Sequence, residues 1–264
     1  MPRAKRRLSQ HFLTDPRILG RIADALAPGP RDTVLEIGPG PGGLTAALAE
    51  RAGRLVAIEK DPELIPTLRA RYPAVDIVEG DALDLDWHSL AGPHFLVAGN
   101  IPYNITSPLL DKALEPPRPA RIVFLVQKEV ADRICAPPGG SEYGALTIGV
   151  RAVTRAERLF TVPAGAFQPR PKVDSAVLRL TPLAEPLVPD EERGRFRRLV
   201  VGLFGFRRKQ LQRGVRELTG WEPERALAAL ERAGVAAAAR PETVSPERYV
   251  RLLGALVDGG WDAR

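Results

Sequence analysis

The 264-residue sequence holds one cysteine, Cys135, and three histidines. A single cysteine excludes an intrachain disulfide, and no histidine–cysteine group has the spacing of a metal site, so no structural metal is expected. No apolar run approaches the roughly 20 residues a helix needs to span a bilayer. The basic N-terminus, MPRAKRRLSQHFL, lacks the apolar centre and small-residue cleavage site of a secretory signal. A cytoplasmic protein with no membrane association is the expectation. Acidic residues are missing where basic ones are dense. Arg193, Arg195, Arg197, Arg198, Arg207, Arg208, Lys209, Arg213 and Arg216 run without a carboxylate among them, and Arg3, Lys5, Arg6 and Arg7 add a second cluster. Either cluster can be a solvated helix face, but an unbalanced run of this length favours phosphate contacts.

What is present suits a soluble globular chain: 44% hydrophobic and 27% charged residues, with a formal net charge of +6. The length allows one large domain, or one domain and a small appendix. Through the first two-thirds, strand-length apolar runs alternate with helical patterns. Strands are expected near TVLEI (33–37), RLVAIE (54–59), VDIVEG (75–80), HFLVAGN (94–100) and RIVFLVQ (121–127). Asp15-Pro16 and Asp61-Pro62 read as helix starts, an acid at the N-cap before proline. The alternation predicts a doubly wound α/β sheet, mostly parallel. Two later runs, ERLFTV and SAVLRL, pair around the Pro-rich loop PAGAFQPRPKVD and would bring the sheet to seven strands. After the linker LTPLAEPLVPDEE only helical patterns follow, near 190–218, 222–234 and 245–257. The expected division is an α/β domain over 1–184 and a small all-helical domain over 185–264.

VLEIGPGPGGLT sets a turn of glycines and prolines between the first strand and a helix. Such a turn lets the backbone approach a ligand and offers free helix N–H groups. Alone it serves a dinucleotide or a tight turn equally well. Context narrows it. Glu36 lies within the strand, Glu59 ends the next strand, where a carboxylate can take a ribose diol, and Asp81 ends the third, where one can take an adenine amino group. This pattern fits NAD and S-adenosylmethionine.

The fourth strand ends in GNIPY. Here the sequence resembles S-adenosylmethionine-dependent amino-methyltransferases with an Asn/Asp-x-Pro-Tyr signature, and more closely the ribosomal RNA adenine N6,N6-dimethyltransferases. The resemblance runs through SQHFL (9–13), EIGPG (36–40), IEKD (58–61), GDAL (80–83), GNIPYNITSPLL (99–110), LVQKEVADR (125–133), EYGALT (142–147), AFQPRPKVDSAV (166–177) and FRRKQLQ (206–212). It implies a Rossmann-like class I methyltransferase fold and a cofactor site of His11, Leu13, Glu36, Gly38, Gly40, Glu59, Lys60, Asp81, Ala82 and Asn100. It also implies a catalytic group of Asn100, Ile101, Pro102, Tyr103 and Phe167. An adenine N6 is a poor nucleophile. The Asn100 side-chain oxygen and the Ile101 carbonyl can accept its hydrogens, Pro102 fixes the turn, and Tyr103 and Phe167 are expected as stacking surfaces. FRRKQLQR resembles the family's RNA-contacting helix and would set Arg207, Arg208, Lys209 and Arg213 on rRNA backbone. TSPLL then begins a helix capped by Thr106 or Ser107.

The sequence departs from the family pattern at three places: Ser9 where Gly is common, His11 where many relatives have Asn, and Arg170 within the usual run of three prolines. His88 and His94 have no functional context. The resemblance implies an enzyme that dimethylates two adjacent adenosines in a hairpin loop near the 3′ end of small-subunit (16S) rRNA, on a 30S precursor during ribosome biogenesis; nothing in the sequence suggests an obligate dimer, and a monomer is expected. Its competitors are a large-subunit rRNA dimethyltransferase of the macrolide-resistance type, which shares NIPY, and a non-catalytic RNA-binding assembly or transcription factor on the same fold. An NAD-dependent dehydrogenase explains neither NIPY nor the basic helices.

Overall fold

A computed structural model describes residues 10–262. Arg3, Lys5, Arg6, Arg7 and Ser9 lie outside the described residues. The described chain forms two compact units, one running to Ala131 and resuming over Ala156–Pro182, the other built from Asp132–Arg155 and the chain from Leu183 onward.

The first unit opens with strand β1 (Phe12–Leu13) and helix α1 (Pro16–Leu26). Asp15 caps α1 by accepting the Arg17 N–H at 2.9 Å, Pro16 occupies the first turn, and Leu19, Ile22, Ala23 and Leu26 fall on one buried face at helical spacing. Then follow β2 (Thr33–Ile37), α2 (Gly43–Ala49), β3 (Arg54–Glu59), α3 (Ile65–Arg71), β4 (Asp76–Glu79), α4 (Trp87–Ala91), β5 (Phe95–Asn100), α5 (Thr106–Ala113), β6 (Arg121–Gln127) and α6 (Lys128–Cys135). After α7 (Ala145–Arg151) come β7 (Thr154–Val162), β8 (Phe167–Gln168) and β9 (Ser175–Pro182).

Seven strands make one sheet in the order β4-β3-β2-β5-β6-β9-β7. Pairs β3–β4, β2–β3, β2–β5 and β5–β6 are parallel, and β9 returns antiparallel to β6. The inner strands are apolar on both faces, as a sheet covered by helices on both sides requires. Val34, Leu35 and Ile37 are all buried. Leu19, Ile22 and Leu26 of α1, Leu44 and Leu48 of α2 and Leu68 of α3 pack with Val34, Leu55, Leu96 and Leu125 in a single core. From β2 the chain first winds outward through β3 and β4, then crosses back to β5 on the other side. The carboxyl ends of β2 and β5 therefore flank the switch point where open α/β sheets bind ligands.

Two local expectations differ from what forms. Asp61-Pro62 begins a turn, with Leu64 N–H on Asp61 O at 3.1 Å and Glu63 N–H on the Asp61 side chain, and α3 starts only at Ile65. Neither Thr106 nor Ser107 caps α5. A 3-10 turn over Tyr103–Ile105 feeds the helix directly, and Thr106 Oγ1 donates back to the Pro102 carbonyl at 3.4 Å. The small antiparallel pair β1–β8, joining Phe12 to Gln168 and Leu13 to Phe167, has no pattern long enough to read in sequence.

The second unit contains α7, α8 (Arg193–Gly205), α9 (Leu211–Thr219), α10 (Pro223–Arg232) and α11 (Pro246–Asp258). The pattern read as one helix over 190–218 breaks at Phe206–Gln210, so FRRKQ is the turn between α8 and α9, not a helix. Gly202 and Gly214 let these helices approach: a Cβ at Gly202 would stand 2.7 Å from Leu218, and one at Gly214 3.2 Å from Leu203. Asp132–Arg155 belongs to this unit, although the expected division placed it in the first. Arg207 Nη2 donates to the Ser141 carbonyl at 2.7 Å, Tyr143 Oη to the Val244 carbonyl at 2.8 Å, and Leu187 N–H to the Ala152 carbonyl at 2.8 Å. These ties span large sequence distances and leave no local signal.

Candidate active site

Four strand ends converge on one cavity of about 920 Å³ of empty space, its mouth included. From β2 comes the glycine loop, hung on β3 by the Gly38 N–H, which donates to the Ile58 carbonyl at 2.9 Å. Gly38 has φ +67°, and a Cβ there would meet nothing within 4 Å, so a cradle stands open at the cavity wall. Gly42, at φ +86°, is held more tightly: its Cβ would stand 2.4 Å from the Tyr72 ring, whose hydroxyl donates to the Gly42 carbonyl at 2.6 Å.

Glu59 ends β3 almost fully buried. Its carboxylate accepts the Gly40 N–H at 3.0 Å and the Asp61 N–H at 2.8 Å, so it fastens the glycine loop to the strand tip. Burial pushes its pKa up against the opposing pull of those donors. Each oxygen retains acceptor capacity for a ribose hydroxyl. Asp81, after β4, pairs with Lys60 at 2.5 Å and accepts the Leu83 N–H at 3.0 Å. Desolvation acts to raise this carboxyl, but the Lys60 ammonium and the N–H outweigh it and hold the pKa below the usual range.

Asn100 ends β5. Its Nδ2 donates to the His11 carbonyl at 2.7 Å, which fixes the amide plane and leaves Oδ1 as the acceptor for the cavity. The Ile101 side chain is buried and its N–H donates to the Leu125 carbonyl at 3.0 Å, so Ile101 can serve only through its backbone. Pro102 turns the chain at φ −55°. Tyr103 is half-buried, its hydroxyl hydrogen-bonded to Ser175 Oγ at 2.8 Å, its ring stacked on His11 with centroids 5.7 Å apart. Burial raises the Tyr103 pKa, so the phenol stays neutral.

The fold thus brings His11, Gly38, Gly40, Glu59, Lys60, Asp81, Ala82 and Asn100–Tyr103 to one cavity. Leu13 and Phe167 are not among its walls. They face each other across β1–β8, 6% and 5% exposed, inside the core. The stacking surface expected at Phe167 is here a core side chain, because β8 turns it inward. Gln10, Phe12, Asn104 and Ile105 also line the cavity; no role was expected for them, though Gln10 and Phe12 flank His11 in SQHFL. Tyr72 and Ser175 act from 30 and 72 residues away in sequence; no motif marks Tyr72, and Ser175 lies in AFQPRPKVDSAV, where no role was expected for it.

Glu36 does not line the cavity; it lies buried below the loop at 1% exposed. Neither its Oε2 nor the buried Thr45 Oγ1 makes a hydrogen bond among the described residues. Burial pushes the carboxyl up to about 8; the nearby Thr45 hydroxyl opposes this and the Glu59 charge adds to it. Between the ordinary value of 4.5 and about 8 the folded protein holds a proton that the unfolded chain has lost. Unfolding free energy from this group therefore falls as pH rises, by up to about 1.4 kcal/mol per pH unit. Denaturant melts at pH 5.5 and 7.5 should show wild type losing roughly 2–3 kcal/mol more than Glu36→Gln across that interval. Parallel loss in both proteins would place the proton elsewhere.

In the second unit the four expected RNA contacts divide. Arg207 is a structural tie, donating to Ser141 and Gly140 carbonyls and lying 3.9 Å from Glu242. Lys209 and Arg213 share Glu217, at 3.5 and 3.6 Å. The Lys209 charge first, and then the hydrogen bonds and Arg213, hold the Glu217 carboxyl below its usual value. Arg208 is exposed and makes no ion pair among the described residues.

A family model described as ribosomal RNA adenine dimethylase matches residues 1–257. Proteins named ribosomal RNA small subunit methyltransferase A are similar over nearly their whole length. That of Geobacter sulfurreducens is 41% identical, over 98% of this chain and 97% of its own. That of Nitratidesulfovibrio vulgaris is 44% identical, over 95% and 96%. Among solved structures, a dimethyladenosine transferase from Plasmodium falciparum superposes with a TM-score of 0.86 at 26% identity, covering 95% of this chain and 99% of that one. The 23S rRNA methyltransferase ErmE gives 0.74 at 33% identity, covering 93% and 99%.

Proposed function

Because the chain belongs to the ribosomal RNA adenine dimethylase family, we propose that it dimethylates N6 of two adjacent adenosines in a hairpin loop near the 3′ end of small-subunit (16S) rRNA during ribosome biogenesis. S-adenosylmethionine is the cofactor and, when bound, supplies an electrophilic methyl group on a sulfonium. The observation that carries the reading is the Asn100 amide at the cavity wall, pinned through Nδ2 so that Oδ1 is left as its acceptor.

The chain's residues then divide the work. Gly38 gives close backbone approach, Glu59 accepts from the cofactor's ribose, and Asp81 accepts from its adenine amino group. Asn100 Oδ1 and the Ile101 carbonyl accept the two N6 hydrogens of the target base, which biases the nitrogen toward a pyramidal geometry with its lone pair directed into the cavity. Tyr103 offers the stacking face. Positioning supplies the rate, and no general base is needed before attack, because the methylated ammonium is acidic. A target adenosine must leave its stack to enter, which an unpaired loop makes easy.

The small-subunit relatives, at 41–44% identity against 33% for the large-subunit enzyme, favour 16S over 23S rRNA. The proposed setting is the cytoplasm, with a monomer acting on a 30S precursor. Mapping dimethyladenosines in ribosomes from cells with and without the gene tests this. The pair near the 16S 3′ end should vanish with the gene, whereas a missing 23S modification would favour the resistance-type target.

Neutralising Arg207, Arg208 and Lys209 together should weaken RNA binding and flatten its salt dependence. On single strands the log–log slope should shrink by about 0.7 for each phosphate the variant no longer neutralises. Arg208→Ala alone should do part of this without lowering the melting temperature, whereas Arg207→Ala should lower it by freeing the Ser141 segment. An unchanged salt slope in the triple variant would remove this turn from the RNA surface.

A further inference from the structure

We propose that Arg170 and Lys172 clamp the RNA phosphates flanking the extruded target adenosine at the cavity mouth; this rests on the reading of the cavity as an adenine methyltransferase site. Both cations stand on the loop between β8 and β9, and both are exposed. Neither side chain makes a hydrogen bond or ion pair among the described residues. Arg170 replaces a proline of the family's usual run of three, so this charge belongs to the chain itself. The loop is fixed beside the cavity at both ends. At its start the Pro169 carbonyl lies 2.8 Å from His11 Nδ1. At its end Ser175 Oγ is hydrogen-bonded to the Tyr103 hydroxyl at 2.8 Å, and His11 and Tyr103 both line the cavity. Asp174 secures the same end: its carbonyl accepts the Lys128 N–H at 3.0 Å and its carboxylate the Ala164 N–H at 2.9 Å. Pro171 is buried between the two cations, so they flank an anchored residue.

The strand order sets where this loop stands. β9 runs antiparallel to β6, so Ser175 begins it beside Gln127, at the carboxyl edge of the parallel strands. In the order β4-β3-β2-β5-β6-β9, the carboxylates Glu59 and Asp81 at the ends of β3 and β4 lie to one side of Asn100, and the loop lies to the other. The cavity is therefore acidic on the cofactor side and basic on the side where a polyanion enters. A base extruded from its stack brings its two flanking phosphates to the mouth of the pocket, where backbone contacts fix its register. Free cations there neutralise those phosphates without first breaking an ion pair. Arg170 can take a phosphate bidentately, and Lys172 can take one as a point charge.

The test compares wild type with Arg170→Ala, Lys172→Ala, the double variant and Arg170→Lys. Arg31→Ala is the charge control, removing an exposed cation in the turn before β2, at the amino end of the parallel strands. KM and kcat are measured on under-methylated small subunits and Kd for S-adenosylmethionine. Binding of an RNA hairpin with two adjacent loop adenosines is followed against salt. Expected for the double variant are a KM raised about tenfold, with kcat and cofactor Kd unchanged. Its log–log salt slope should shrink by about 0.7 for each of the two phosphates. Arg170→Lys should keep the wild-type slope, and Arg31→Ala both slope and KM. Melting temperatures should match wild type throughout, since neither cation ties down another part of the chain. An unchanged KM and slope in the double variant would overturn the clamp, as would an equal change in Arg31→Ala, which would make the effect one of net charge. Wild type that binds cofactor yet methylates no adenosine would instead overturn the functional reading itself.

Discussion

Asn100→Ala is expected to lower methyl transfer by about 10²–10³-fold, the scale at which a single preorganised hydrogen-bonding group acts on a reacting centre, while RNA binding stays near wild type. The alanine removes two things at once: the Oδ1 acceptor and the Nδ2 link to the His11 carbonyl. Asn100→Asp separates them. It keeps an acceptor but places carboxylate oxygen against a carbonyl, so it should retain more activity than alanine and less than asparagine. Single-turnover transfer from labelled cofactor, alongside filter binding of RNA, makes the comparison. An alanine variant that dimethylates at the wild-type rate would refute amine activation by this residue.

Gly38→Val is expected to abolish detectable cofactor binding, a loss of at least 10²-fold, in a protein that still folds. At φ +67° any side chain carries a backbone cost of about 1–2 kcal/mol. The larger effect is spatial, because the valine would occupy the open cradle at the cavity wall. Gly42→Ala makes a useful contrast. Its Cβ would collide with the Tyr72 ring, so it should lower the melting temperature as well as affinity. Calorimetric titration with S-adenosylmethionine and thermal melts distinguish the two. Retained affinity in Gly38→Val would move the cofactor away from this loop.

Much of the first unit was legible because its signals are local and periodic. TVLEI, RLVAIE and RIVFLVQ form strands over the expected residues, since runs apolar on both faces satisfy a parallel sheet and little else. Glu59, Asp81 and Asn100 could be grouped for the same reason: they end consecutive strands, and parallel strands end on one edge. What stayed hidden depends on contacts across long sequence separations. Phe167 sits in a loop motif that suits an exposed ring, but its pairing with Leu13, 154 residues earlier by number, turns it inward. FRRKQ looked helical because arginine and lysine favour helices, whereas Gly205 and the bond from Lys209 N–H to the Phe206 carbonyl at 2.7 Å make it a turn. The inclusion of Asp132–Arg155 in the second unit is likewise set by ties to Arg207 and Val244 that no window of sequence contains.

The most direct measurement is methyl transfer in vitro. Purified protein, labelled S-adenosylmethionine and under-methylated small subunits are combined, and the modified bases are mapped after digestion. The account predicts N6,N6-dimethyladenosine at two adjacent positions near the 3′ end of 16S rRNA and no label on large subunits. Cofactor binding without transfer to either subunit, or label confined to 23S rRNA, would contradict it.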